Sequence, residues 1–180
     1  AMDTHLTIKT WVAAVEANDS AALYSLLAPN CELVSPLTNE FQFLGRRQVV
    51  GVFDAGLSIV KDVSVYKVLG DGRDWAVFLS GTINGYPVDE VQLHELDQDG
   101  KIKHITLMFR PLNSLQDLLT KIGPALEKRG VMEKKSAFAA AAYAPLALAG
   151  RAVEKLIMPR IGPSFDGPEA EEKPEAEAAN

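Results

Sequence analysis

The stretch VDEVQLHELDQDGKIKHITLMFRP, from Val88 to Pro111, decides the fold. Asp99-Gly100 stands between two runs in which apolar and polar residues alternate, and this pattern predicts a β-hairpin. In the first run Glu90, Gln92 and His94 are two residues apart, so strand geometry places them on one face. Whether this polar face lies against solvent or inside a pocket bears directly on function.

Working outward from the hairpin, the periodicity of the chain predicts an α+β fold. We expect a cone-shaped, curved antiparallel sheet with packed N-terminal helices, followed by a C-terminal helical extension. Such a cone has an apolar interior that can hold a small molecule. The predicted helices cover residues 6–17, 21–28 and 46–60, and the predicted strands cover 31–36, 40–45, 63–70, 74–83, 88–96 and 101–110.

The composition is that of a globular protein, with 47% hydrophobic and 23% charged residues among 180. It contains no strongly apolar run of about 18 residues, so we expect no membrane span. A single cysteine, Cys31, excludes an intrachain disulfide and suggests a reducing, cytoplasmic location, as does a start without a signal-peptide pattern. The three histidines lack metal-ligand spacing, so we expect neither a metal nor a cofactor.

Charge is divided unevenly along the chain. The net charge is −6 over residues 1–120, +5 over 121–163 and −5 over 164–180. An acidic main domain would repel phosphate, so we expect no nucleic-acid partner. We predict a cone domain at 3–125, a helical extension at 126–163 and a disordered acidic tail at 164–180.

Several segments together resemble the nuclear-transport-factor-2-like superfamily, and in particular its SnoaL-like and ketosteroid-isomerase branch. The resemblance covers roughly residues 5–125. Each segment is a weak signal by itself, and their shared order carries the resemblance. They are WVAAVEANDSAAL, LLAPNCELVSP, FLGRRQVVGVF, HELDQDGKI and MFRPLNSLQDLL.

The resemblance implies a fold and a pocket but not an activity. In the steroid isomerases, a first-helix tyrosine and a late-strand acid form the oxyanion hole, and an aspartate before a proline moves the proton. Those positions correspond here to Trp11, Gln92 and Ser35. The final-strand aspartate of the related epoxide hydrolases and cyclases corresponds to Leu107. The catalytic acids of these branches are therefore not retained.

Two sets of site residues follow. The catalytic candidates are His94 and Glu90, because a histidine beside a buried carboxylate can act as a general base. The structural alternatives are a satisfied core histidine and a solvated glutamate at the rim, and Ser35 has the alternative role of capping its turn. The predicted ligand-contacting residues are Trp11, Ser35, Phe53, Gln92, Leu107 and Phe109.

Two functions remain open from the sequence. One is a protein with an apolar pocket that binds or transforms a small hydrophobic molecule such as a polyketide, steroid-like or acyl compound. If it is an enzyme, the resemblance implies isomerase, cyclase or hydrolase-like chemistry. The alternative is a non-catalytic binding or assembly module. Pocket volume distinguishes them, because a filled cone favours the second.

The segment 131–163 contains an uncharged, alanine-rich run followed by an amphipathic one. It is too apolar for a free surface helix, so it needs a covering surface. One interpretation is packing on its own domain or on a second copy in a homodimer, against the outer sheet face that carries Val91, Leu93 and Met108. The other is docking to a protein partner or a membrane surface. Its predicted stripe comprises Phe138, Tyr143, Leu146, Leu148, Val153, Leu156 and Ile157.

Overall fold

The computed structural model describes residues 3–133 and 136–161, without the side chains of 136–141, so the predicted acidic tail and the Phe138 side chain lie outside the described residues. The α+β class is confirmed: within the described ranges the chain forms five α-helices, one short 3₁₀ helix and one six-stranded sheet. The elements in chain order are α1 (Thr4–Ala17), α2 (Ser20–Leu26), β1 (Leu27–Val34), β2 (Phe43–Leu44), α3 (Gly45–Ile59), β3 (Lys61–Asp71), β4 (Asp74–Ile83), β5 (Tyr86–Leu96), β6 (Ile102–Arg110), α4 (Leu112–Lys128), α5 (Ser136–Leu156) and the 3₁₀ helix Met158–Arg160.

The predicted hairpin forms, and its register sets the faces of both strands. Gln92 lies opposite Leu107 and His94 lies opposite Ile105. Residues directly opposite each other in an antiparallel pair share a face. The inner face of the sheet therefore carries Glu90, Gln92 and His94 of β5 together with Ile105, Leu107 and Phe109 of β6, as the alternation predicted.

The sheet is mixed rather than wholly antiparallel, because β1 runs parallel to β6 with Leu33 opposite Ile105. The strand order is β2-β1-β6-β5-β4-β3. Alternation along a strand indicates its two faces but carries no information about a distant neighbour, and β1 and β6 are separated in the chain by α3 and four strands. This pairing joins the N-terminal part of the chain to the hairpin.

Capping residues set the boundaries of the first two helices. The Asp3 carboxylate accepts a hydrogen bond from the His5 N–H at 3.0 Å, and Asn18 ends α1 in the left-handed region at φ 52°. The Asp19 carboxylate then caps α2 through the Ala22 N–H at 3.0 Å. These caps satisfy backbone groups that a helix terminus leaves unpaired. They hold Trp11, which is fully buried, against the sheet.

The C-terminal helices pack on each other. Arg151 of α5 forms an ion pair with Asp117 of α4, and both side chains are mostly buried. Leu93 and Met108 on the outer sheet face stay exposed, so α5 does not cover that face within its own chain. Covering it from a second copy stays a prediction. No helix in the described ranges is both long enough and apolar enough to cross a bilayer.

Candidate functional site

A cavity of about 360 Å³ lies between the inner face of the sheet, α3 and α4. Its walls are mainly apolar side chains, and the one buried carboxyl group among its described lining residues is that of Glu90. The sheet, α3 and α4 each contribute part of the apolar wall. These residues include Leu33, Leu79, Leu107, Phe53, Leu57, Leu118 and Ile122.

A chain of hydrogen bonds connects Glu90 to the first helix. The Trp11 indole N–H donates to Gln92 Oε1 at 2.9 Å, and Gln92 Nε2 donates to Glu90 Oε1 at 2.7 Å. The indole can only donate, so the Gln92 amide is oriented with its oxygen toward Trp11 and its nitrogen toward Glu90. Among the described residues, this bond from Gln92 is the one hydrogen bond of the Glu90 carboxyl, which leaves its second oxygen for a ligand.

The Glu90 carboxyl titrates near neutral pH. Its side chain is 9% exposed, and burial raises its pKa from an ordinary 4.5 to about 7. The hydrogen bond from Gln92 favours the ionised form but is the smaller influence. At neutral pH the group therefore exists in both forms, one able to donate a hydrogen bond into the cavity and the other able to accept a proton.

His94 is buried on the same face but does not line the cavity. Its ring packs edge-to-face on Trp11 with the ring centres 5.0 Å apart, and its Nε2 lies 3.3 Å from Gln92 Oε1. Its Nδ1 has no hydrogen-bond partner among the described residues. Burial lowers the pKa of His94 from 6.5 to about 3. His94 is therefore not among the residues that line this cavity, and its role as a general base stays a prediction.

We expect the His94 imidazole to stay neutral between about pH 5 and pH 8, because no charged group compensates for the loss of water around it. Ring-nitrogen chemical shifts measured by NMR should therefore be constant for His94 across this range, with a His94→Gln variant used to assign its signals. A His94 signal that titrates near neutral pH would contradict this placement.

The other predicted ligand-contacting residues fall into two groups. Ser35, Phe53, Gln92, Leu107 and Phe109 line the cavity. Trp11 lies behind this lining, packed edge-to-face on Phe53, and acts on the site through Gln92.

The Ser35 hydroxyl also has a local structural role. It accepts a hydrogen bond from the Leu37 N–H at 3.1 Å, so it caps its turn. This bond matches the structural alternative stated for Ser35 while leaving it in the cavity wall.

Sequence reasoning missed the part of the wall that comes from the C-terminal helices. Leu118 and Ile122 of α4 close one side of the cavity, and Leu126, Met132 and Tyr143 extend this side beyond residue 125. The sequence pattern that could have indicated these wall residues was the apolar stripe of α4 at helical spacing. That stripe indicates a buried face, but only the tertiary structure shows that it is buried over the cavity.

Similar folds occur among solved structures at low sequence identity. A steroid delta-isomerase from Pseudomonas aeruginosa matches with a TM-score of 0.65 and 23% identity, over 72% of this chain and 95% of its own. An uncharacterized, cystatin-like-fold protein from Silicibacter pomeroyi matches with a TM-score of 0.62 and 20% identity, over 74% and 91%. An NTF-2-like protein of unknown function from Burkholderia xenovorans matches at 0.53 and 23%, over 59% and 81%. No protein-family model and no curated protein matches the sequence.

Proposed function

This chain has the fold of nuclear-transport-factor-2-like proteins, and on that fold we propose that it binds a small, mainly apolar molecule in its cavity and holds a polar group of that molecule at Glu90. The observation that carries the proposal is the buried Glu90 carboxyl in an otherwise mainly apolar wall. A cavity of about 360 Å³ suits a small ligand, since ligand pockets start at about 300 Å³. A polyketide, steroid-like or acyl compound, as the resemblance implies, fits this polarity.

The chemistry that this site supports best is proton transfer at Glu90. A group with a pKa of about 7 can donate to a ligand carbonyl in its neutral form and accept a proton in its ionised form. Gln92 holds one carboxyl oxygen in place, and the other oxygen is left to bond the ligand. Trp11 acts as a positioning residue, because it orients the Gln92 amide. A cytoplasmic location and a homodimer remain predictions alongside this proposal.

A second candidate is binding without turnover. It is favoured by the hydrogen bond between Trp11 and Gln92. These two residues occupy the positions that correspond to the oxyanion hole of the steroid isomerases, but here the Trp11 N–H bonds to Gln92 instead of to a ligand. The two candidates share the cavity and differ in whether the bound molecule is changed. Native mass spectrometry of the purified protein tests whether a small molecule co-purifies with it. Liquid chromatography with mass detection of that molecule, before and after incubation with fresh protein, distinguishes the two candidates by a mass change or a shifted isomer retention time.

Leu107→Trp is expected to weaken ligand binding at least about tenfold, because the larger side chain projects into the cavity. Leu107 is 8% exposed and lines the cavity, whereas its neighbour Met108 is 50% exposed on the other face of β6. Met108→Trp is therefore the matched control and should leave binding unchanged. The measurement is titration with a neutral environment-sensitive apolar dye, together with the co-purifying mass in native spectra. Equal binding by both variants would contradict the proposed site.

A further inference from the structure

The hydrogen bonds around Gln92 fix the direction in which its side-chain amide points. Gln92 Oε1 lies 2.9 Å from the Trp11 indole nitrogen and 3.3 Å from His94 Nε2. An indole nitrogen only donates and an amide oxygen only accepts, so both of these bonds are donated to Gln92 Oε1. The His94 proton is therefore on Nε2, and its unprotonated Nδ1 is the atom without a partner among the described residues. Reversing the amide would place its NH2 group against two N–H donors.

This fixed amide determines which oxygen of Glu90 carries the proton when the carboxyl group is neutral. Gln92 Nε2 donates to Glu90 Oε1 at 2.7 Å. The carbonyl oxygen of a carboxylic acid is a better acceptor than its hydroxyl oxygen, so Oε1 is the carbonyl and the proton is on Oε2. Oε2 has no hydrogen bond to a described residue, so its O–H is available to a ligand. Neutral Glu90 thus requires a hydrogen-bond acceptor in the ligand.

The wall of the cavity offers no positive charge to a ligand. Lysine, arginine and histidine are absent from its described lining residues, and its titratable members besides Glu90 are Glu40 and Tyr143, which are both exposed. A carboxylate or phosphate brought into this cavity would lose water without gaining a cation, which is costly. An uncharged ligand also displaces water from Glu90 without compensating its negative charge. The bound state therefore favours the neutral form of Glu90.

We propose that Gln92 is a positioning residue for Glu90, and that the cavity takes an uncharged molecule with a carbonyl oxygen that accepts a hydrogen bond from Glu90 Oε2–H. This inference rests on the proposed function, because it assigns the polar group of the molecule bound there. It selects ketones, aldehydes and esters, whose carbonyl oxygens accept a hydrogen bond without donating one. It excludes free carboxylic acids, which are anionic at neutral pH. It also excludes cationic amines while Glu90 is neutral.

The test uses four probes that share a naphthalene ring: acetylnaphthalene, ethylnaphthalene, naphthoate and cationic naphthylmethylamine. Displacement of the neutral environment-sensitive dye from the full chain gives the Kd of each probe. We define the ketone preference as the Kd of ethylnaphthalene divided by that of acetylnaphthalene. In the wild type this ratio should fall at least about fivefold between about pH 5.5 and about pH 9, because Glu90 loses the proton that it donates. At about pH 5.5 both ions should bind more weakly than acetylnaphthalene.

Three variants separate the donor at Glu90 from its positioning by Gln92. In Glu90→Gln the Gln92 N–H holds the new amide oxygen at the Oε1 position, so the amide NH2 donates to the ligand at every pH, and the ketone preference should persist at about pH 9. Glu90→Leu should lower the ratio at least about fivefold at about pH 5.5. Gln92→Met should move the midpoint of the pH dependence upward, because it removes the bond that favours ionised Glu90. Glu95→Gln, on the outer face, is the matched control and should keep the wild-type midpoint.

Four outcomes would each overturn the inference: a wild-type ketone preference that does not change with pH, its loss in Glu90→Gln at low pH, tighter binding of either ion than of the ketone at low pH, or a midpoint that Glu40→Gln moves and Gln92→Met does not. If Leu107→Trp weakens all four probes but the wild type shows no ketone preference, the proposed binding in the cavity stands and this inference alone fails. If no probe displaces the dye, both fail.

Discussion

Glu90→Gln should raise the free energy of unfolding by about 3 kcal/mol at about pH 8 and leave it nearly unchanged at about pH 4. In the folded wild type the pKa of Glu90 is about 7, against an ordinary 4.5. The contribution of protonated Glu90 to the free energy of unfolding is fully present below about pH 4.5 and is lost as the pH rises through about 7. Glutamine keeps the acceptor for Gln92 and never ionises, so the variant avoids this loss.

The free energy of unfolding of Glu90→Gln must be compared with that of the wild type at each pH, because His94 changes the stability with pH in the opposite direction to Glu90. Its folded pKa of about 3 lies below its ordinary 6.5. Its stability contribution is therefore complete above 6.5 and is lost as the pH falls toward 3. Between about 4.5 and 6.5 the two effects oppose each other, and the wild-type profile should be nearly flat there. Both proteins contain His94, so its contribution cancels when the free energy of unfolding of the wild type is subtracted from that of Glu90→Gln.

Urea denaturation of both proteins across this pH range is the measurement. Glu95→Gln is the control, since Glu95 lies on the same strand but on the outer face, where Lys103 lowers its pKa. That variant should show no gain at high pH. A Glu90→Gln protein that gains the same stability at both ends of the range, or none, would contradict a raised pKa for Glu90.

Arg151→Met should detach α5 from α4. The substitution leaves the Asp117 carboxylate, which is largely buried, without its partner, and breaking a buried ion pair costs about 3 kcal/mol or more. The chain can limit that cost by releasing α5, which returns Asp117 to water. We therefore expect hydrogen-exchange protection to fall in residues 142–156 while the sheet keeps its protection.

Two comparisons make this prediction specific to the buried pair. Arg110→Met breaks an exposed pair, in which Arg110 is 77% exposed and bonded to Asp89, and should cost below about 1 kcal/mol. Arg151→Met combined with Asp117→Leu should recover much of the lost protection, because no charge is then left buried. Unchanged protection of α5 in Arg151→Met would show that the remaining helix contacts hold it without the pair.

The local pattern of the sequence determined the α+β class and the inner face of the hairpin. Asp99-Gly100 with its alternating flanks predicted both the pairing of β5 with β6 and the shared face of Glu90, Gln92 and His94. The resemblance to nuclear-transport-factor-2-like proteins is confirmed at the level of the fold. These predictions succeeded because strand and helix periods are properties of a few consecutive residues.

Only the tertiary structure decided what each of these residues does. Glu90 and His94 are four residues apart on one face, yet Glu90 lines the cavity and His94 packs edge-to-face on Trp11. Burial moves their pKa values in opposite directions. The parallel pairing of β1 with β6 and the exposed outward face of α5 were likewise beyond periodicity. A period identifies a face, whereas the partner that covers it and the dielectric around a charge depend on residues far apart in the chain.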